Sequence, residues 1–201
     1  MNPIFLYIIS LFAGYLSGSI MFANIFTKII SGKDIRSLGN NNPGAANTFR
    51  TISPFWGIMV GVLDGLKSFI PMLAGYSLFH LSSINTGLIG IGSIIGHCYP
   101  IYFNFKGGRA ASTILGVYLF FIPFELIAAY IVSPIIVFLI IRKNHSYWIP
   151  FGVISLGGVA CLFFHHSLEI KIIILVSALT GLFFNRFYLP IVMNQLFQKD
   201  K

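Results

Sequence analysis

Long runs of apolar residues, separated by short polar connections, dominate the hydropathy pattern of this 201-residue chain. A membrane-spanning helix needs about 20 such residues, and the runs reach or approach that length. The fourth run is too long for one crossing. Because Pro123 and Glu125 interrupt it, we predict a short helix over 110–122, a turn, and a span that ends near residue 141. The pattern predicts about seven transmembrane helices, one of them short, from apolar runs at 3–26, 53–79, 86–103, 110–141, 147–164 and 170–193.

Lysine and arginine are concentrated in alternate connections between these runs. Basic residues follow the first, third and fifth predicted spans, whereas the opposite connections contain only Lys171. Because cytoplasmic loops of membrane proteins carry the excess of lysine and arginine, we predict that the basic connections face the cytoplasm. Seven crossings then put the amino terminus outside and the carboxyl terminus inside. The basic residues behind this prediction are Lys28, Lys33, Arg36, Arg50, Lys106, Arg109, Arg142 and Lys143.

The composition predicts an all-α integral membrane protein. Hydrophobic residues make up 56% of the chain and charged residues only 9%, and the mean hydropathy is +0.86, far from the averages of soluble proteins. At this length we expect a single membrane domain over residues 1–201. The net charge is +8, but the cations are spread singly along one side. We therefore expect membrane lipid headgroups and phosphorylated small molecules as partners, and no nucleic acid.

Small residues recur at four-residue spacing in three of the predicted helices. This spacing lets helix backbones approach closely in lipid, so we expect these positions to pack helices together. The residues concerned are Gly14 and Gly18, then Gly57, Gly61 and Gly65, then Gly92 and Gly96.

The first basic connection contains a loop rich in glycine and asparagine, which runs from Gly39 to Arg50. Glycines leave backbone amides approachable, and asparagines offer side-chain donors and tolerate left-handed backbone. With a fixed cation beside it, such a loop can wrap an anion. The alternative is an ordinary asparagine-rich turn between helices, because turns favour the same residues.

A second loop of similar chemistry, Lys106-Gly107-Gly108-Arg109, lies directly before the predicted short helix. Backbone amides and the helix dipole both favour negative charge at a helix start. We therefore predict a second phosphate site. The alternative is a basic clamp on lipid headgroups at the membrane edge.

Two charged residues, Asp64 and Lys67, lie one helical turn apart within an apolar run. A charge in a membrane is costly unless it is paired, so we expect an ion pair on the side that faces the other helices. The pair either supports the first loop, which we favour, or lets Lys67 reach a phosphate. His97 is more often a hydrogen-bonded structural group than a base at such a position. The spacing of His, Cys and carboxylate residues indicates no metal site.

In these motifs the chain resembles the acyl-phosphate-dependent glycerol-3-phosphate acyltransferases, the PlsY family. The resemblance covers roughly residues 14–146, with the motifs in the same order. It rests on Gly18-Ser19-Ile20, Asp34-Ile35-Arg36, the loop from Gly39 to Arg50, Asp64 and Lys67, and the segment from Gly96-His97-Cys98-Tyr99-Pro100 to Lys106-Gly107-Gly108-Arg109.

The resemblance implies a multi-pass enzyme of the bacterial inner membrane whose active site faces the cytoplasm. It would transfer a fatty acyl group from acyl phosphate to the 1-hydroxyl of glycerol 3-phosphate, without a cofactor, giving 1-acylglycerol 3-phosphate for phospholipid synthesis. A PlsX-type acyl-phosphate synthase would be its partner. The implied catalytic residues are Arg50, Asn40 and Ser146. The implied phosphate-binding residues are Asn42, Gly44, Asn47, Lys106, Gly107, Gly108 and Arg109, and those with supporting roles are Asp64, Lys67, His97 and Arg186.

The chain departs from the family pattern in three motifs. Asn40 and Asn41 stand where the family has Ser-Gly, and Arg109-Ala110 where it has Lys-Gly. In the carboxyl-terminal His-Arg-x-Asn motif only Arg186 is retained, between Asn185 and Tyr188. Two alternatives therefore stay open. One is a non-catalytic relative that binds substrate, and the other is a small transporter of organic phosphates, motivated by the charged pair within the membrane.

Overall fold

A computed structural model describes residues 2–142 and 144–186, together with Pro190, Met193 and Asn194. The predicted end of the last helix near residue 193, Lys143 and Tyr188 lie outside the continuously described ranges. Within those ranges α7 continues as a π-helical turn, Val137–Ile141. The α-helices are α1 (Pro3–Gly18), α2 (Phe22–Ser31), α3 (Ala45–Thr51), α4 (Pro54–Phe79), α5 (Ser83–Cys98), α6 (Ala111–Phe121), α7 (Pro123–Ile136), α8 (His145–Phe163) and α9 (Leu168–Asn185).

The first apolar run is not one helix, as the sequence predicted, but two. The chain leaves α1 after Gly18 and enters α2 at Phe22. The carbonyl of Ile20, between them, accepts a hydrogen bond from Lys67 Nζ at 2.8 Å. A side chain from α4 therefore satisfies a backbone group that a continuous helix would satisfy internally.

The division of the fourth apolar run agrees with prediction. α6 ends at Phe121 and α7 starts at Pro123, where proline has no N–H to lose in the first helical turn. α6 has its middle in the centre of the bundle: Ile114, Val117 and Tyr118 are almost fully buried. The Tyr118 hydroxyl donates to the carbonyl of Ile154 in α8 at 3.2 Å, which fixes α6 against α8.

Four helical segments in the described ranges are long and apolar enough to cross a membrane, and α6 is apolar but shorter. Large apolar side chains on these helices are exposed, among them Phe5, Ile58 and Phe124, which suits a surface that faces lipid. The number of crossings and their orientation remain predictions. The four segments are Pro3–Ser31, which α1 and α2 share, Pro54–Phe79, Pro123–Ile141 and His145–Phe163.

The glycine spacing in α1 and α5 has the predicted effect. A Cβ atom added at Gly14 or Gly18 would collide with the backbone of Ile89 or Ser93 in α5. Likewise, a Cβ atom at Gly92 or Gly96 would collide with the backbone of α1. The two backbones are therefore in direct contact, which is the close approach that small residues permit in lipid.

The three basic connections meet at one end of the bundle. Arg36 Nη1 donates to the carbonyl of Phe103 at 3.1 Å, which joins the first connection to the second. Arg50 Nη1 donates to Ser146 Oγ at 2.8 Å, which joins α3 to the start of α8. At the opposite end, His166 contacts Glu125. The predicted sorting of basic loops to one side agrees with these contacts.

Candidate functional site

The first loop is organised by the side chain of Asn47. Its Oδ1 accepts from the backbone N–H of Asn40 at 3.2 Å, and its Nδ2 donates to the carbonyl of Leu38 at 2.9 Å. Gly39 has a left-handed φ of 56°, and a Cβ atom there would collide with the Asn47 side chain. The buried amide of Asn47 thus holds the loop in shape and does not line the site, where the sequence predicted it to bind substrate.

Arg36 ties the first loop to the second. Its guanidinium forms an ion pair with Asp34, with Nη2 and Oδ2 2.6 Å apart. The hydrogen bonds from Arg36 hold the pKa of the Asp34 carboxyl below its usual range, and the carboxylate in turn raises the pKa of Arg36. Because Arg36 also donates to the carbonyl of Phe103, the pair fixes the relative positions of the two loops.

The second loop packs on the last turn of α5 through its own backbone. The N–H of Gly107 donates to the carbonyl of Cys98 at 3.2 Å, and the N–H of Gly108 donates to the carbonyl of His97 at 3.0 Å. The prediction of bare amides at these two glycines is therefore wrong, because the amides satisfy carbonyls at the end of α5. The positive charge of this loop at the site comes from Arg109, which lines the cavity described below.

A buried polar cluster connects α4 and α5 beneath the second loop. Lys67 Nζ lies 2.9 Å from Asp64 Oδ1, so the predicted ion pair is confirmed. The same ammonium group contacts His97 Nδ1 at 2.7 Å and donates to the carbonyl of Ile20 at 2.8 Å. Both charged side chains are 2% exposed, and burial of this kind requires such pairing.

The two loops and the polar cluster surround one cavity of about 170 Å³, which we call the inner cavity. Asn42 and Gly44 reach it from the first loop, and Arg109 from the second. Asp64 and His97 form part of its wall. The start of α6 also borders it, and the remainder of the wall is largely apolar. The α6 residues are Ala111, Ser112 and Ile114, and those from α8 and α9 are Ser146, Tyr147, Pro150, Phe151, Ile154, Ser155, Ala178, Gly181 and Leu182.

A second and larger depression of about 670 Å³ lies between α3, α4 and the start of α8, and we call it the α3–α8 groove. Its lining is apolar apart from Arg50, His145 and Ser146. Ser146 borders both spaces, and its hydroxyl accepts the hydrogen bond from Arg50. A cavity with charged side chains in its wall and an apolar groove therefore share a boundary, and the cation of Arg50 is held there by a hydrogen bond.

Several predicted site residues lie outside the wall of the inner cavity. Asn40 is exposed, and its Oδ1 accepts from the N–H of Asn42 at 3.2 Å. Lys106 is exposed on the second loop and does not line the cavity. Arg186, at the end of α9, lies 3.9 Å above the ring of Phe183 and donates to the carbonyl of that residue. The structure thus brings six residues of the predicted set together around the cavity: Asn42, Gly44, Asp64, His97, Arg109 and Ser146. Besides these three, the predicted residues outside its wall are Asn47, Arg50, Lys67, Gly107 and Gly108.

Sequence reasoning missed the face that α8 presents to the cavity. Ser146, Pro150 and Ile154 are spaced by four residues, and so are Tyr147, Phe151 and Ser155. This is the period of one helix face, so the signal was present in the sequence. It was hidden because most of the residues are apolar and match an ordinary packing surface. Among the described residues, no group of three His, Cys, Asp or Glu side chains is placed to hold a metal ion.

Known proteins with related sequences share one description. Residues 8–191 match the family model for glycerol-3-phosphate acyltransferase. The chain is 35% identical to the enzyme of that name from Syntrophotalea carbinolica over 129 residues, which are 64% of this chain and 66% of that protein. It is 42% identical over 103 residues to the Aquifex aeolicus protein, or 51% and 53% of the two chains. The matched segments thus span about half to two thirds of the length of these relatives.

A longer match comes from glycerol-3-phosphate acyltransferase 2 of Bacillus anthracis, which is 34% identical over 172 residues, or 86% of each chain. Two crystal structures of PlsY (YgiH), an integral membrane glycerol 3-phosphate acyltransferase, have the same fold with a TM-score of 0.80. They are 26% identical to this chain and cover 98% of it. One is the glycerol 3-phosphate form and the other the lysophosphatidic acid form.

These similarities confirm the predicted fold class, an all-α integral membrane protein. The family match covers most of the chain, and it includes both loops and the residues that line the inner cavity. The chain therefore belongs to the glycerol-3-phosphate acyltransferase family.

Proposed function

We propose that this protein transfers a fatty acyl group from acyl phosphate to the 1-hydroxyl of glycerol 3-phosphate and releases 1-acylglycerol 3-phosphate and inorganic phosphate. The observation that carries this proposal is the junction of the inner cavity with the α3–α8 groove. Arg109 supplies a cation to the cavity, and Arg50 supplies one to the apolar groove. Two phosphorylated substrates, one of them with a long apolar chain, suit this pair of spaces. The related crystal structures in glycerol 3-phosphate and lysophosphatidic acid forms support the same substrate class.

The proposed chemistry needs fixed charge more than a strong base. The 1-hydroxyl oxygen attacks the acyl carbonyl carbon, the bond between that carbon and the bridging phosphate oxygen breaks, and inorganic phosphate leaves. Arg50 stabilises the charge that develops on the oxyanion and the departing phosphate. Acyl phosphate is a mixed anhydride with a good leaving group, so a substrate phosphate oxygen can accept the hydroxyl proton.

The other residues divide between binding and support in this proposal. Asn42, Gly44 and Arg109 contact the phosphorylated substrates, and Ser146 orients Arg50. Asn40 and Asn47 keep the first loop in shape. The remaining residues have supporting roles. Gly107 and Gly108 dock the second loop on α5, and Asp64, Lys67 and His97 support that loop from below. Lys106 adds positive charge on the second loop, and Arg186 adds it at the end of α9.

We further propose the location, orientation and partners of the protein. It is a single domain over residues 1–201 in the bacterial inner membrane, and the inner cavity opens to the cytoplasm. The concentration of lysine and arginine at that end supports this orientation. A PlsX-type acyl-phosphate synthase supplies the donor, anionic lipids contact the basic end, and the reaction uses no cofactor and no nucleic acid.

The direct test is acyl transfer by the purified protein, with a long-chain acyl phosphate and radiolabelled glycerol 3-phosphate. We expect labelled 1-acylglycerol 3-phosphate, and a rate about a hundredfold lower in Arg50→Ala, the usual size of effect when a charge-stabilising donor is lost. No product above that control contradicts the proposal. Saturable binding of glycerol 3-phosphate without product supports the non-catalytic relative instead. Rescue of a bacterial strain that lacks its own acyltransferase tests the activity and its location together.

A further inference from the structure

The imidazole of His97 is a buried group that borders the inner cavity and has no role in the chemistry above. The residue is 3% exposed, lies in the last turn of α5, and contributes to the cavity wall. Among the described residues its ring forms a hydrogen bond with Lys67 through Nδ1, and none through Nε2. One polar edge of the ring is therefore held by the protein, while the other is not.

Lys67 determines which ring nitrogen of His97 carries the proton. A lysine ammonium group has donors and no acceptor, so His97 Nδ1, at 2.7 Å from Lys67 Nζ, accepts. Asp64 Oδ1 lies 3.7 Å from the same nitrogen, which is too far to take a proton from it in a hydrogen bond. A neutral imidazole with Nδ1 as acceptor has its proton on Nε2. The free edge of the ring is thus a hydrogen-bond donor.

Gly108 leaves that donor uncovered. A Cβ atom at this position would collide with Nε2 of His97 and would lie 3.0 Å from the carbonyl oxygen of Pro43. The donor therefore lies where the first loop, the second loop and the end of α5 meet. Arg109, the next residue, lines the same cavity, so positive charge is adjacent to the donor.

We propose that His97 is a substrate-binding residue whose neutral Nε2–H group donates a hydrogen bond to a phosphate oxygen in the inner cavity. The ligand is either glycerol 3-phosphate or the phosphate of the acyl donor, which present the same oxygen chemistry. Asp64 and Lys67 are then positioning residues, because they act through the histidine. This inference rests on the proposed function, which supplies the phosphorylated substrates.

Two substitutions of His97 separate the donor from the structural role of the ring. In His97→Asn the short amide can still accept from Lys67 but does not extend to the position of Nε2. In His97→Gln the longer side chain extends an N–H group to that position. Ser93→Ala is the control, because Ser93 lies one turn earlier in α5, is fully buried and does not line the cavity. Thermal unfolding in detergent checks that each variant is folded.

The readout is the dissociation constant of each ligand, measured by calorimetry, together with KM and kcat. The ligands are glycerol 3-phosphate and a non-hydrolysable acyl phosphonate. We expect His97→Asn to weaken binding of at least one of them about tenfold or more, as for loss of a hydrogen bond to a charged group, and His97→Gln to recover most of the loss. KM should rise more than kcat falls. The ligand whose affinity falls identifies the phosphate that His97 contacts.

Some results overturn the proposal. They are unchanged affinity for both ligands in a folded His97→Asn variant, an equal loss in His97→Asn and His97→Gln, and no binding of either ligand by the unmodified protein. Failure of the proposed function looks different. If the unmodified protein binds glycerol 3-phosphate but forms no product, the acyltransferase proposal fails, and the affinities of the two His97 variants still decide the role of His97.

Discussion

The guanidinium of Arg50 is held by the hydroxyl of Ser146 across 96 residues of sequence. We predict that Arg50→Lys lowers kcat/KM for acyl transfer about tenfold, because lysine keeps the charge but lacks the planar fork that contacts a phosphate or oxyanion through two N–H groups. Ser146→Ala should have a smaller effect, since it removes only the orienting partner. Steady-state kinetics with both substrates test this, with Lys28→Ala as the control because Lys28 is an exposed cation on α2. Full activity of Arg50→Lys contradicts a geometric role for the guanidinium.

Local chemistry identified the right segments of the chain but not the use of each group. The glycine and asparagine loop was predicted to bind an anion, and Asn42 and Gly44 do line the inner cavity. Asn47 looked equivalent to Asn42 in sequence, yet its side-chain amide forms hydrogen bonds with the backbone of the loop itself. The difference depends on which side of the loop faces the helices, and a local pattern does not contain that information.

The contact between α1 and α5 makes a sharp prediction about packing. Gly14→Ala places a methyl group against the backbone of Ile89, and neither backbone can move without separating the helices. We expect a loss of roughly 1–3 kcal/mol in the free energy of unfolding, typical of overpacking. Gly61→Ala is the matched control, because its Cβ atom would lie 3.4 Å from the Ala45 side chain, an ordinary contact. Thermal or denaturant unfolding in detergent should separate the two variants, and equal stability would contradict the packing argument.

The helices also show why some boundaries were predictable. Pro123 divides α6 from α7 by a local rule that acts on the chain itself. The break after Gly18 has no such marker, because Ile20 and Met21 continue the apolar pattern. The carbonyl of Ile20, which lies in this break, accepts a hydrogen bond from Lys67, a residue distant in sequence. A pattern of hydropathy does not contain such a long-range contact.

The predicted orientation of the bundle can be tested with cysteine labelling. Both native cysteines, Cys98 and Cys161, are buried. Replacing them with alanine removes background labelling by the thiol reagent. In that chain, Lys33→Cys should react with a membrane-impermeant thiol reagent only after the cells are permeabilised. Glu169→Cys should react in intact cells. Both positions are exposed and belong to opposite ends of the bundle.

The reverse labelling pattern would mean that the orientation is inverted. Labelling of both positions from the same side would mean that the number of crossings between them is even, not the odd number predicted. Inversion, or labelling of both positions in intact cells, would move the inner cavity away from the cytoplasm, so this experiment also tests the proposed route of glycerol 3-phosphate to the site.

The direct backbone contact of α1 with α5 also constrains how the protein is made. α1 ends at Gly18, but its partner is complete only at Cys98, about halfway along the 201-residue chain. Synthesis proceeds from the amino terminus, so α1 is inserted into the membrane before α4 and α5 are synthesised. Until then it lacks the helices that it contacts in the complete bundle. During that interval Ser10, whose hydroxyl later donates to Asn85 at 3.2 Å, has no partner in α5. Assembly of the bundle is therefore a delayed step, completed well after the first helix has been inserted.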